Sequence, residues 1–308
     1  MAGKGTASTC SSARRGSRHR RAAIVLALAM FVAAAGLGAS TAPAGALDGR
    51  VIGGKPVGDG GYRFQAALLG LPFGSNDYQR QFCGGSLIGP YYVLTAAHCV
   101  DFIGNQANDE IRLNQLRVVV GRTVLSSNTG QKRSAFRLAI HPGWSPATGK
   151  NDVAVIELTD PVTGIQPIRL ATTGTDALER PGRLATVTGW GNTIRQEPGP
   201  PAGLTNYPDR MRVAQVPIVA DDECAASYKD FGGIFSFTQI CAGRTGLDTC
   251  QGDSGGPMFV AVTGGYRQIG ITSSGVGCGA TGFPGIYTQV SSPPIGNFIA
   301  NATFGVPT

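Results

Sequence analysis

The segment CQGDSGGPMF, Cys250 to Phe259, holds one acid and one serine among closely spaced glycines. Glycine allows backbone conformations that other residues resist, so neighbouring N–H groups can point outward, and Pro257 stiffens the exit. Ser254 in this setting could attack an electrophile while backbone donors hold the developing oxyanion. A tight turn between two strands would explain Gly-Asp-Ser-Gly equally well, so the segment alone does not establish chemistry.

A serine nucleophile at neutral pH needs a base, most simply a histidine. The chain has three: His19 lies in the basic N-terminal region, and His141 sits in a turn where a surface imidazole is the default interpretation. His98, at the end of the apolar run VLTAAHC, is therefore the candidate base by elimination. Taken alone, a histidine at this position is more often a packed strand-end residue than a base.

The base in turn needs an orienting carboxylate, preferably buried. Asp152 opens DVAVIEL, an apolar run that would draw the acid inward. An unpaired carboxylate there would be costly, which favours a partner. A solvated strand cap remains the alternative.

The formal net charge of +7 arises at the N-terminus rather than across the chain. Positions 1–50 hold seven of the 26 Lys and Arg residues and a single acid, Asp48, which leaves 19 basic and 18 acidic residues elsewhere. Nothing in this balance indicates a nucleic-acid partner.

Residues 1–46 have the features of a secretory signal peptide. Basic residues precede the apolar run Ala22–Leu37, and Ala44-Gly45-Ala46 offers an A-x-A cleavage site. An uncleaved membrane anchor is the alternative, since the run is nearly long enough to span a bilayer.

Six cysteines remain after Ala46, and an even number in an exported chain implies disulfides, with fifteen possible pairings. No C-x-x-C pair exists and histidines are few, so we expect no zinc site.

Short apolar runs between turn residues predict an all-β fold. They are SLIGPYYVLTAA, LRVVVG, DVAVIEL, RLATVTGW, QIGIT and GIYTQV, in a chain with 46 glycines, 19 prolines and 15% charged residues. Only Pro293–Ala302 is convincingly helical. Asp160–Pro167 is a plausible link between two halves.

LTAAHC, NDVAVIEL and CQGDSGGP, in this order, resemble the three active-site motifs of the chymotrypsin/trypsin family of serine peptidases. The resemblance runs from Val51 to the C-terminal helix. It implies two six-stranded antiparallel β-barrels, approximately residues 51–165 and 166–308, with the active site between them and a short C-terminal helix. It also implies that His98 is the general base, Asp152 its orienter and Ser254 the nucleophile.

Further roles and pairings follow from the same resemblance. The N–H groups of Gly252 and Ser254 would form the oxyanion hole, and Ser273 would support Asp152 and pair with substrate. Asp248 at the base of the specificity pocket, with Thr249 and the small wall residues Gly275 and Gly285, implies cleavage after Arg or Lys; a surface loop acid is the alternative for Asp248. The implied disulfides are Cys83–Cys99, Cys224–Cys241 and Cys250–Cys278.

The sequence Arg50-Val51-Ile52-Gly53-Gly54 resembles the family's activation site. Cleavage after Arg50 would free the amine of Val51 to pair with Asp253, so residues 47–50 would be an activation peptide and 51–308 the peptidase domain.

The sequence departs from the family's pattern at two places. The loop Gly121–Arg133 has no carboxylate for calcium. Ser274 replaces the usual tryptophan, from which we expect weak selection upstream of the cleaved bond; the alternative is that a nearby aromatic such as Phe283 or Tyr266 fills the space.

We therefore expect a secreted, extracellular serine endopeptidase, made as a zymogen, that needs no cofactor or metal. Its partners would be protein or peptide substrates and protein protease inhibitors, with no nucleic acid, no membrane after signal removal, and a monomeric state. The alternative is a catalytically inactive family member that acts as a binding protein.

Overall fold

The computed structural model describes residues 51–104, 111–199 and 204–303. The predicted signal peptide, the activation peptide and Arg50 lie outside the described residues. No helix among the described residues is long and apolar enough to cross a membrane.

The described residues are mostly strands joined by turns. The strands are β1 (Lys55–Pro56), β2 (Gln65–Gly70), β3 (Gln81–Gly89), β4 (Tyr92–Thr95), β5 (Ile103–Gly104), β6 (Ile111–Arg112), β7 (Leu116–Val120), β8 (Gln131–Ile140), β9 (Ala154–Leu158), β10 (Arg169–Leu170), β11 (Leu184–Gly189), β12 (Arg212–Val219), β13 (Gln239–Ala242), β14 (Pro257–Val262), β15 (Gly265–Ser274) and β16 (Gly285–Gln289). The helices are α1 (Asp77–Arg80), α2 (Asp221–Tyr228) and α3 (Pro293–Ala302).

Twelve of these strands form two closed six-stranded antiparallel barrels, which confirms the predicted fold class. The first barrel runs β2-β3-β4-β9-β8-β7. The second runs β12-β11-β14-β15-β16-β13 and closes because β12 also pairs with β13. A barrel leaves no long strand edge unpaired and fills its narrow interior with side chains.

Each apolar run predicted from the sequence contributes a strand. β7 illustrates the reason: LRVVV is rich in β-branched residues, which suit a pleated surface, and Leu116, Val118, Val119 and Val120 are buried. Ile156 of β9 belongs to the same core.

Each end of the described chain packs against the barrel that is built mainly from the other half of the chain. β1 pairs with β12 of the second barrel, whereas Ile295 and Ile299 of α3 are fully buried in the core of the first. Buried polar bonds join the barrels directly: Thr188 donates to Gln65 at 2.6 Å, and Ser86 donates to Gln268 at 2.6 Å. Such satisfied buried pairs fix the position of one barrel against the other.

The prediction that α3 is the only convincing helix was wrong, because α2 also forms. α2 carries three acids in its first turn, which favour the positive end of the helix dipole. Only two of its residues, Cys224 and Tyr228, are buried, and its sequence carries no apolar stripe that would mark it as a helix. The disulfide from Cys224 to Cys241 links α2 to β13. The tertiary anchor, rather than a periodic pattern, holds this helix in place.

The loop between β7 and β8, in which the sequence lacks a carboxylate, contains a buried cation. The Arg122 side chain is 5% exposed, and its guanidinium donates to the carbonyls of Thr129 at 2.7 Å and Leu125 at 3.1 Å. It also pairs with Asp77 at 2.6 Å. The guanidinium therefore already binds loop carbonyl oxygens that could otherwise coordinate a calcium ion.

We predict that calcium has no effect on stability and that Arg122→Met lowers it. Loss of the buried charged donor leaves two carbonyls without a donor and removes the most buried of the cations that pair with Asp77, which should cost about 2–3 kcal/mol. Thermal unfolding with calcium or with chelator, on wild type and on the variant, measures both effects. Lys132→Met is the control, since Lys132 is 41% exposed and also pairs with Asp77, and exposed pairs contribute less than about 1 kcal/mol. A rise in melting temperature with calcium would contradict the prediction.

Candidate active site

The end of β4 and the start of β9 bring His98 and Asp152 together. Thr95 of β4 is the register partner of Ala154 of β9, so the residues that follow one strand and precede the other are neighbours. His98 Nδ1 lies 2.7 Å from Asp152 Oδ2, and the backbone N–H of His98 donates to Asp152 Oδ1 at 2.9 Å.

Asp152 is 1% exposed, and the second barrel completes its hydrogen bonds. The Ser273 hydroxyl of β15 donates to Oδ2 at 2.6 Å, and the Thr288 hydroxyl of β16 donates to the Asp152 carbonyl at 2.8 Å. Both carboxylate oxygens thus have donors, as a buried carboxylate requires. The sequence pointed to Ser273 through the family resemblance but gave no signal for Thr288.

The environment of His98 acts on its pKa in two directions. Burial lowers the pKa of His98. The hydrogen bond and charge of Asp152, together with the charge of Asp101, outweigh this effect, so the pKa of His98 lies above its ordinary value. With Asp152 as the acceptor at Nδ1, the ring holds its proton there, which leaves Nε2 as the basic nitrogen. Cys83 and Cys99 flank the imidazole but are joined in a disulfide, so they offer it no free thiolate.

Ser254 follows the Cys250–Cys278 disulfide and precedes β14. Its carbonyl accepts from Gly84 N–H at 2.7 Å, and Gly255 packs against Thr95 and Gly84 so closely that a side chain there would collide. This contact holds the serine loop against the strand that leads to His98. Among the described residues, the Ser254 hydroxyl makes no hydrogen bond; such contacts often tighten only when substrate is bound.

The N–H groups of Gly252 and Ser254 have no acceptor among the described residues, and neither does that of Gln251. The amides between and after them are engaged: Asp253 donates to the carbonyl of Cys250, Gly255 to Thr272 and Gly256 to Asp253. Gly252 has φ +94°, a conformation that a side chain would strain. Two adjacent free donors of this kind are what an oxyanion site needs.

Asp253 is buried beside these donors. Its carboxylate accepts from Gly191 N–H at 2.7 Å and from Cys250 N–H at 3.0 Å. Burial raises its pKa to about 6 although both bonds lower it, and no described residue forms an ion pair with it. The N-terminal segment of the described chain is also buried: Val51 is 0% exposed, the Ile52 carbonyl accepts from Asp248 N–H at 3.2 Å, and Ile52 packs with the Cys250–Cys278 disulfide.

A cavity of about 220 Å³ opens beside Ser254, and Asp248 lines it. It also contains the other residues assigned to substrate binding, namely Thr249, Ser273, Gly275 and Gly285. Gly285 leaves no room for a side chain next to the Asp248 carboxylate. The Asp248 carboxylate accepts from Gly279 N–H at 3.0 Å and Thr249 N–H at 2.8 Å, yet burial, with the charge of Asp253, raises its pKa to about 7.

A neighbouring cavity of about 410 Å³ contains residues that the sequence analysis did not assign to the site. It begins at His98, Ser273 and Ser274 and extends between Trp144 and Phe231. The Trp144 indole donates to Asp101 at 2.9 Å, and Phe231 packs edge-on against Phe283 at 5.1 Å. Both aromatics lie in loops where neither periodicity nor a motif marks them.

The three disulfides in the structure are those implied by the resemblance. Cys83–Cys99 lies beside His98, Cys224–Cys241 joins α2 to β13, and Cys250–Cys278 borders the cavity of Asp248.

We predict that Asp152→Asn lowers the pKa of His98 below its ordinary value. The substitution removes the charge that opposes burial, so desolvation then dominates. An NMR titration of the imidazole measures the shift, and Asp101→Asn, which removes the weaker charge, should lower the pKa less. A His98 pKa that is equal in Asp152→Asn and wild type would contradict this geometry.

Comparison with known proteins agrees with the fold and the geometry. Residues 51–295 match the trypsin family. A trypsin of Saccharopolyspora erythraea is 39% identical over 79% of this chain and 94% of its own length. A trypsin-like protease of Streptomyces glaucescens is 36% identical over 93% and 95%, and trypsin II-P29 of Gallus gallus is 34% identical over 85% and 93%. The chain therefore belongs to the trypsin family and is a trypsin-like serine endopeptidase.

Proposed function

We propose that this endopeptidase cleaves after Arg or Lys through an acyl-enzyme formed on Ser254. The observation that carries the proposal is the Asp248 carboxylate, buried in the cavity that Ser254 also lines. A long cationic side chain in this cavity would reach a carboxylate with no charged partner among the described residues.

In the proposed mechanism, the Ser254 oxygen attacks the substrate carbonyl while His98 Nε2 takes the hydroxyl proton. The carbonyl oxygen becomes an oxyanion between the N–H groups of Gly252 and Ser254. His98 then gives its proton to the leaving amine, and the C–N bond breaks to leave the acyl-enzyme. A water molecule repeats the sequence, with His98 as base, and releases the acid and free Ser254. Asp152 stabilises the imidazolium throughout.

The raised pKa of Asp248 gives the binding of a basic side chain a pH dependence. A carboxyl with a pKa of about 7 holds a proton in part of the free enzyme at neutral pH. A cation binds the deprotonated form, so binding must displace that proton below pH 7 and needs no proton release above it.

We predict that Asp248→Ser lowers kcat/KM for arginine substrates by about 10⁴-fold, because a cation would then be buried without a partner. Hydrolysis of an ester without a basic side chain should persist in the variant, since the triad is untouched. For wild type, benzamidine affinity should fall by about tenfold per pH unit below pH 7 and level off above it. A wild-type digest dominated by cuts after large apolar residues would contradict the proposed specificity for Arg and Lys.

We also propose that cleavage after Arg50 activates a secreted zymogen. The buried Val51 and the buried, uncompensated Asp253 support this proposal, because a new α-amine would supply the missing cation next to the two free amides. Protein protease inhibitors are further expected partners. The signal peptide and Arg50 remain sequence predictions.

We predict that Arg50→Gln gives a folded but inactive protein, whereas Arg50→Lys keeps a basic residue and is activated. N-terminal sequencing for Val51 and an activity assay test both variants. If Asp253 raises the pKa of the Val51 amine, the stabilisation is fully present below about 7.7–8.0, the unfolded value. It is lost as pH rises through the higher folded value, so activity should fall there. Full activity of Arg50→Gln would refute this activation.

The structure changes our expectation for residues upstream of the cleaved bond. Ser274 lacks the usual indole, but Trp144 and Phe231 line the adjoining cavity. Phe231 is held by Phe283, which packs on Tyr228 at 5.7 Å. We therefore propose that these two side chains supply an apolar wall in place of the missing tryptophan.

We predict that wild type prefers apolar residues upstream by tenfold or more, about 1.4 kcal/mol, and that Phe231→Ala removes most of this preference. A peptide library varied upstream of arginine measures it. Phe237→Ala is the matched control, since Phe237 is 66% exposed and does not line the cavity. A flat wild-type profile would restore the expectation from Ser274 alone.

A further inference from the structure

A cavity of about 550 Å³ lies outside the candidate active site. Three segments line it: Tyr62–Phe64 before β2, Gly164–Arg169 in the connection between the barrels, and Gly264–Tyr266 at the β14–β15 turn. None of these residues lines the cavity of Asp248 or that of His98. Its volume lies within the range of roughly 300–1,000 Å³ typical of binding clefts.

An aromatic cluster forms one wall of this cavity. Tyr62, Phe64 and Tyr266 line the cavity, and Phe259 of β14 packs behind them, with ring centroids 5.1–6.2 Å apart in tilted or edge-on pairs. Phe259 is fully buried, whereas Tyr266 is 39% exposed. Such pairs hold one another in place, so the wall is formed before any ligand arrives.

Tyr62 holds a backbone conformation that a bulky residue rarely adopts, with φ +48°. Its ring contacts three other aromatic rings of the cluster. The packing thus keeps the tyrosine at the cavity despite a backbone that disfavours it.

Arginines without acidic partners surround the same cavity. Arg63 and Arg169 line it, and Arg267 is the register partner of Arg169 between β10 and β15. Arg267 donates to the Leu170 carbonyl at 2.9 Å, but the guanidinium groups of Arg63 and Arg169 make no hydrogen bond with any described residue. Within the described ranges, no carboxylate forms an ion pair with any of the three.

The cavity therefore combines an aromatic wall with the positive charges of Arg63 and Arg169. Carboxylates bind guanidinium groups through charge-assisted, often bidentate, hydrogen bonds. An aromatic or branched apolar side chain would fill the space against Tyr62 and Tyr266 while acidic residues beside it reach Arg63 and Arg169.

We propose that this cavity is an exosite for an acidic peptide segment that inserts one aromatic or branched apolar side chain. A segment of a protein fits better than a bare anion, because the arginines alone would satisfy an anion and leave the aromatic wall unused. The site does not involve Ser254 or Asp248, so it stands independently of the proposed function.

The test measures binding to the full chain carrying Ser254→Ala, so that the result does not depend on cleavage. The probe is a short fluorescent peptide, acetylated and amidated, with glutamates on both sides of one phenylalanine. The double variant Arg63→Gln with Arg169→Gln should weaken binding at least tenfold, and Tyr266→Ala should weaken it severalfold. The charge-matched control is Arg180→Gln with Lys229→Gln, which removes two exposed cations that do not line the cavity and should leave the Kd unchanged.

Two peptide controls separate this site from a general anionic surface. Replacing the phenylalanine by glycine should weaken binding at least tenfold, and high salt should weaken the parent peptide through screening of the arginines. The proposal fails if the peptide does not bind, or if both charge variants weaken it equally. It also fails if the glycine peptide or a polyanion such as heparin binds as tightly as the parent, because the aromatic wall would then play no part.

Discussion

The buried carboxylate of Asp152 is the contact between the two barrels on which the candidate active site depends. His98 of the first barrel contacts both oxygens, Ser273 of the second barrel donates to one of them, and Thr288 donates to the carbonyl of the same residue. An isolated buried carboxylate is costly, so these donors must be in place together. The requirement couples the packing of two barrels to the orientation of one imidazole, and it explains why the cleft forms where β4, β9 and β15 approach each other.

Three buried carboxylates in this part of the fold have different partners. Asp152 has His98, which belongs to the same chain. In the proposed function, Asp248 receives its cation from the substrate, and Asp253 receives one from the α-amine formed on activation. The raised pKa values of Asp248 and Asp253 reflect burial without those cations. Binding and activation would therefore both remove an electrostatic cost that the uncleaved, unliganded chain retains.

Local patterns in the sequence predicted the strands, whereas the two barrels and the disulfide pairing were predicted only through the family resemblance. β-branched runs such as β7 identify strands, and LTAAHC, NDVAVIEL and CQGDSGGP identify the family. The roles assigned to His98, Asp152 and Ser254 stay predictions that the geometry supports. The sequence did not predict α2, which a disulfide links to β13, or the Trp144–Phe231 wall, whose residues line one cavity only after folding. The aromatic cavity at Tyr62 was missed for the same reason, since three separate segments build it.

The role of Ser254 as the nucleophile that His98 activates can be tested by labelling the activated enzyme with an organophosphonate ester and mapping the modified residue by mass spectrometry. We expect one label, on Ser254, in proportion to lost activity, with labelling strongly slowed in His98→Ala. A label on another residue with full loss of activity, or unlabelled Ser254 in an enzyme that the reagent has inactivated, would show that Ser254 is not the nucleophile.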